Sequence, residues 1–158
     1  MERVYIETTI PSYLGSRASR DSLKNHRQGI TREWWEKERG KYYLFSSIFV
    51  SDEASGGDPQ AANERLAFLK GIPELPVTTE VAILAAEIAS LLSLPKNAIL
   101  DASHLAMAIV HRIDFLLTWN CTHLANPVLQ KDLIGYCSYY SLHIPVICTP
   151  ELLITPEP

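Results

Sequence analysis

The sequence predicts an α/β fold built on a parallel sheet, and three observations carry that expectation. Five short runs rich in β-branched, aromatic and aliphatic residues (4–9, 42–46, 75–77, 115–119 and 145–149) alternate with longer stretches of helical pattern. These runs are apolar on both faces, as strands are when helices cover both sides of their sheet. Between Ala98 and Val110 nearly every residue is apolar, with Asp101, Ser103 and His104 the exceptions. A helix apolar all round belongs inside a fold, so one that water scarcely reaches is expected here. The expectation is a three-layer α/β/α domain with a five-stranded parallel sheet, spanning residues 1–158 as one unit.

The elements follow in order. VYIETT reads as a buried first strand with Glu7 near its carboxyl end, stopping at Ile10-Pro11 because proline cannot donate to a ladder. After a loop at Arg17–Ser19, Asp21–Glu38 has helical spacing, with Leu23, Arg27, Ile30 and Trp34 on one face. Tyr42–Ser46 is the second strand. Ile48–Ala54 is a short helix carrying Asp52 and Glu53, closed by Gly56-Gly57. Asp58-Pro59 opens another helix, with proline where a missing N–H costs nothing, and Gly71 ends it. Leu75-Pro76-Val77 supplies a brief third strand, and Thr79 caps a helix over Glu80–Leu92. Pro95 separates that helix from the apolar one. Phe115–Trp119 is the fourth strand and ends on the polar Asn120. A helix over Pro127–Ser141 and a fifth strand at Pro145–Thr149 complete the chain.

The 158 residues, 47% of them hydrophobic, suffice for one substantial core. No signal-peptide pattern precedes the first strand and no apolar run is long enough to span a bilayer, which predicts a cytoplasmic protein without a membrane partner. Three widely spaced cysteines (Cys121, Cys137, Cys148) fit reduced thiols rather than a disulfide framework. The net charge of −4 is unevenly spread. Residues 17–41 hold eight of the 14 basic residues and four of the 18 acidic ones, a local +4 that leaves −8 for the remainder. Arg20, Lys24 and Arg27 neighbour one another at helical spacing, with Arg17 just ahead. Two readings stand for this segment, a solvated helix face or contact with the phosphates of RNA. Trp34-Trp35 read as core or a subunit contact rather than a base-stacking platform.

Asp101 poses the sharpest chemical question. A carboxylate amid apolar residues is costly unless paired, hydrogen-bonded or bound to a cation, and a helix N-terminus offsets only about 0.3–1 kcal/mol. The start of the apolar helix and the end of the following strand lie on one side of an α/β layer, so Asp101 and Asn120 should face one cleft. Glu7 and Glu53 can converge there from two further elements. Three carboxylates so close repel one another, and a hard divalent ion such as Mg²⁺ or Mn²⁺ removes the conflict. Thr9 and Thr118 could hydrogen-bond the carboxylates around such a site. His104, one turn after Asp101, is either a cleft-lining proton donor or a hydrogen-bonded core histidine. Cys121-x-His123 matches no common zinc spacing.

VYIETTIPSY, SDEASGGDPQAANERL, DASHLAMA and LLTWNCTHLAN, in that order along most of the chain, resemble the PIN-domain family, and in particular the VapC-type toxins of bacterial toxin–antitoxin pairs. The resemblance implies a Mg²⁺- or Mn²⁺-dependent ribonuclease, a homodimer, and inhibition by an antitoxin protein. Carried over by position, Glu7, Glu53 and Asp101 would bind the metal. Asn120 would complete the catalytic set where many members have a fourth Asp. Two departures stand out. Glu7 is one methylene longer than the usual Asp, and the neutral Asn120 weakens a second metal site, so one ion is expected rather than two. The alternatives are a catalytically weakened PIN fold that binds RNA or a protein, and, more distantly, a metal-dependent phosphatase or DNA nuclease.

Overall fold

A computed structural model describes residues 1–156. Four parallel strands form the sheet: β1 (Arg3–Ile6), β2 (Tyr43–Phe45), β3 (Phe115–Leu117) and β4 (Val146–Cys148), in the order β2-β1-β3-β4. Seven α-helices accompany them among the described residues: α1 (Thr9–Gly15), α2 (Ser22–Glu33), α3 (Ile48–Ala54), α4 (Pro59–Leu69), α5 (Thr79–Leu91), α6 (Ile99–Val110) and α7 (Pro127–Tyr139).

The sheet has four strands, not the expected five. The segment expected as a strand at 75–77 reaches the edge of β2 only through a single parallel bridge, Ser46 to Glu74. Pro73 and Pro76 bracket that contact, and with no N–H to give they stop the ladder on either side. β1 is also shorter than expected: it ends at Ile6, and a helix begins at Thr9. Pro11 lies in the first turn of α1, where backbone N–H groups have no intrahelical acceptor, so it starts a helix rather than merely ending a strand. Thr78, not Thr79, caps α5, accepting from the Val81 N–H at 3.3 Å. Beyond Glu33 the helix widens into a π-helical turn, Trp34–Glu38, which buries both tryptophans.

The connections from β1 to β2 and from β3 to β4 run in opposite directions across the sheet. Right-handed crossovers therefore place α1 and α2 on one face and α5–α7 on the other. The direction reverses between β1 and β3, and ligands of open α/β sheets sit outside the carboxyl ends of the strands at such a reversal. Val4, Tyr5, Ile6, Leu116 and Leu117 of these two central strands are fully buried. α6 is less enclosed than expected: His104 and Ala106–Ala108 are inaccessible, but Ile99 is 49% exposed and Leu100 38%. The helix enters the core only after its first turn, which leaves Asp101 half-buried at the rim. No described helix is long and apolar enough to cross a membrane.

Candidate functional site

The reversal point determines which residues meet. Glu7 follows β1 directly, and Thr118, Trp119 and Asn120 follow β3. Glu7 is 4% exposed, and three donors converge on its Oε2: the Thr9 N–H at 3.0 Å, the Thr9 hydroxyl at 2.5 Å and the Thr118 hydroxyl at 2.7 Å. Both hydroxyls accept in turn from the loop after β3, Thr9 from the Trp119 N–H at 2.8 Å and Thr118 from the Asn120 N–H at 2.9 Å. The two threonines thus join the ends of β1 and β3 through one carboxylate oxygen. Oε1 of Glu7 takes no hydrogen bond from the described residues.

Glu53 sits at the exposed end of α3, and its Oε1 accepts from the Thr8 hydroxyl at 2.9 Å and from His104 Nε2 at 2.6 Å. His104 is wholly buried, and its Nδ1 lies 2.8 Å from the Tyr5 hydroxyl, which lies 2.6 Å from the Ser47 hydroxyl. Burial alone would push the Glu53 carboxyl up, but the hydrogen bond and charge of His104, with Thr8, bring it below the ordinary carboxylate range. Nε2 of His104 donates to the ionised Glu53, and the Nδ1 edge of the same ring meets the Tyr5 hydroxyl. Burial raises the Tyr5 phenol, which therefore stays protonated and able to donate. His104 combines both sequence readings: it is core, and it reaches the cleft through Glu53.

Asp101 differs from both. Burial pushes its carboxyl above the usual range and proximity to Glu7 pushes the same way, against the pull of His104, the Asn120 side chain and His123. Asn120 Oδ1 is already engaged, accepting the His123 N–H at 3.0 Å, so the end of the side chain free to act on the cleft is its amide. Among the described residues no three His, Cys, Asp or Glu side chains stand as a ready-made metal shell, and one oxygen of Glu53 is taken up by His104. The zinc reading of Cys121 and His123 finds no support in that arrangement; Cys121 is exposed and unpaired.

Of the basic residues, Arg27 stacks its guanidinium over the Trp119 ring at 5.1 Å, beside the carboxylates. Arg17 and Lys24 lie farther along the same side, in a hollow beside α1, and Arg20 is exposed outside it. Four residues of the site were missed by sequence reasoning, Thr8 with its hydroxyl on Glu53 among them. Tyr5 had a legible signal, since a phenol in an aliphatic strand must find a partner. Ser47 had only its cap-like position before α3. His123, half-buried beside Asp101, was weighed only as a zinc ligand.

No protein-family model matches the sequence, and no curated protein matches it. A solved structure does match in shape. A chain of the crystal structure of VapBC2 from Rickettsia felis, bound to a DNA fragment from their promoter, superposes with a TM-score of 0.56, covering 93% of this chain and 98% of that one. At 13% identity the likeness is one of fold. The molecule is thus an α/β protein of parallel sheet, with Glu7 and Asn120 just beyond the carboxyl ends of the two strands at its topological reversal. Its architecture is similar to that of a chain of the VapBC2 assembly.

Proposed function

We propose that this chain is a metal-dependent endoribonuclease of the PIN/VapC toxin type, acting in the cytoplasm on RNA phosphodiesters. The observation that carries the reading is the pair Glu7 and Asp101. One keeps a carboxylate oxygen free of protein donors, the other is held in a raised, under-compensated state, and no Lys or Arg neutralises either among the described residues. That donor set fits a hard divalent cation, Mg²⁺ or Mn²⁺, which would lower the charge conflict and activate a water toward a phosphate. Glu7 and Asp101 would hold it, with the exposed second oxygen of Glu53 completing the set. Asn120 would orient water through its amide. Thr9 and Thr118 fix Glu7, and His104 fixes Glu53.

The test is cleavage of RNA by the purified chain with Mn²⁺ and without it, alongside Asp101→Ala. Metal-dependent cleavage lost in the variant, with the fold retained by circular dichroism, is expected; an Asp101→Ala protein that cuts like wild type ends the assignment. A second reading, a PIN-like fold that binds RNA or a protein without cutting, draws on the diversion of one Glu53 oxygen to His104. It predicts no rise in melting temperature at millimolar Mn²⁺. An antitoxin partner and a homodimer belong to the first reading, and sedimentation of the chain alone tests the dimer.

A further inference from the structure

We infer that the hollow between α1 and the start of α2 is a phosphate subsite that holds the backbone of single-stranded RNA as it enters the carboxylate cleft. The inference rests on the ribonuclease reading and says where on the surface the substrate lies.

The hollow has a volume of about 420 Å³, and Ser12, Tyr13, Ser16, Arg17, Ser19 and Lys24 line it over a floor of Gln28. Gln28 is 3% exposed and spends its amide on the loop: Nε2 donates to the Ser16 hydroxyl at 2.6 Å and to the Arg17 carbonyl at 2.8 Å, while Oε1 accepts the Ser19 N–H at 3.0 Å. Arg32 adds a contact to the Ser16 carbonyl at 3.4 Å. A buried glutamine thus holds the loop in one shape, so the walls of the hollow are set before any ligand arrives.

The charge is available. In the basic segment, Lys37 is paired with Glu33 and Lys41 with Glu38, whereas Arg17 and Lys24 are in no salt bridge among the described residues. The nearest acid, Asp21, directs its carboxylate to the Lys24 backbone N–H at 2.9 Å, capping α2. Two exposed cations, with the hydroxyls of Ser12, Tyr13 and Ser19 beside them, suit an anion with several acceptor oxygens; the Ser16 hydroxyl is spent on the Tyr13 carbonyl at 3.2 Å.

The wall of the hollow is linked to the surroundings of Glu7 through Tyr13 and Trp119. The Tyr13 ring, on its wall, lies 6.0 Å from the Trp119 ring, and the Trp119 backbone N–H bonds the same Thr9 hydroxyl that donates to Glu7. Arg27 covers Trp119 on the same side. A chain with regularly spaced phosphates can therefore lie with one phosphate in the hollow and another near the carboxylates. An isolated anion would use only one of these places.

Fluorescence anisotropy with a labelled single-stranded RNA oligomer in EDTA, where a metal-dependent enzyme cannot cut, tests this on the full chain. Wild type should bind with a salt dependence that Arg17→Ala and Lys24→Ala each flatten by about 0.7 in log–log slope, the loss of one phosphate contact. Each variant should weaken affinity several-fold, while Lys131→Ala on α7 leaves it unchanged. With Mn²⁺ the same two variants should raise KM and leave kcat near wild type. Wild-type affinity and slope in the Arg17→Ala/Lys24→Ala double variant would overturn the subsite, as would no RNA binding at all. Full displacement of the RNA by inorganic phosphate alone at comparable affinity would overturn the reading as a chain-binding site. RNA binding that responds to both variants, with no cleavage under any metal, would sustain the subsite and remove the ribonuclease.

Discussion

Asp101 and Glu53 both feel His104, yet acid acts on them in opposite senses. Burial and then Glu7 raise Asp101, so its ionised form is a liability of the metal-free fold that is relieved as pH falls through the raised pKa. Asp101→Asn should therefore raise the melting temperature at neutral pH in EDTA and abolish the increment Mn²⁺ gives to wild type; thermal scans with and without metal read both. Glu53 is held low by His104 and Thr8, which outweigh its burial. Its contribution is present above the usual carboxylate range and is lost as pH falls through its folded pKa. Glu53→Gln should destabilise at neutral pH, and the gap to wild type should close on acidification, as a pH series of urea melts would show. Tyr5→Phe leaves His104 Nδ1 and the Ser47 hydroxyl without their shared partner inside the core, an expected loss of about 1–3 kcal/mol by chemical denaturation. At this scale the sequence was legible where chemistry is local. Asp101 stood out because apolar neighbours surround it along the chain. Tyr5, Ser47 and His104 are 42 and 99 residues apart in their pairings, and nothing along the chain announces them.

The turn between α3 and α4 shows how an element keeps Glu53 in place. Gly57 has φ of +75°, a region that side-chain-bearing residues enter at a cost, and its neighbourhood has open space. Arg65 clasps the turn from α4, donating Nε to the Ala54 carbonyl at 2.9 Å and Nη2 to the Gly56 carbonyl at 2.5 Å. Gly57→Ala should cost about 1 kcal/mol through backbone strain alone, with RNA binding unchanged, as denaturant melts and anisotropy would establish. The helices α3, α4 and α7 lie close to where the sequence pattern placed them; Asp58 and Asn126, each followed by proline, cap α4 and α7 within a few residues. The third strand failed for a reason equally local. Prolines on both sides of Glu74 leave only the Leu75 N–H, bonded to the Ser46 carbonyl at 2.8 Å, so no ladder extends beyond it, and the apolar pattern of Leu75 and Val77 masked that signal. The π-helical turn at Trp34–Glu38 had no sequence mark, since it arises from fitting two tryptophans into one core.

Across the whole molecule, the sheet order assigns the site. Chain direction reverses between β1 and β3, and the loops after those strands carry Glu7, Thr118 and Asn120. An ion held only by the folded state stabilises it, by about 2.7 kcal/mol at a hundredfold excess over its dissociation constant. Mn²⁺ should accordingly raise the melting temperature of wild type. Titration calorimetry should count one ion per chain; two equivalent tight sites would contradict the role given to the neutral Asn120. The sequence by itself determined the alternation of strands and helices, the apolar character of α6 and the identity of the acids, because hydrophobic periodicity, proline and capping act over a turn or two of chain. Only the tertiary structure decided that the sheet stops at four strands, that His104 takes Glu53, and that Asp101 has no Lys or Arg partner among the described residues. Those outcomes depend on which side chains arrive beside one another after strands far apart in sequence have paired.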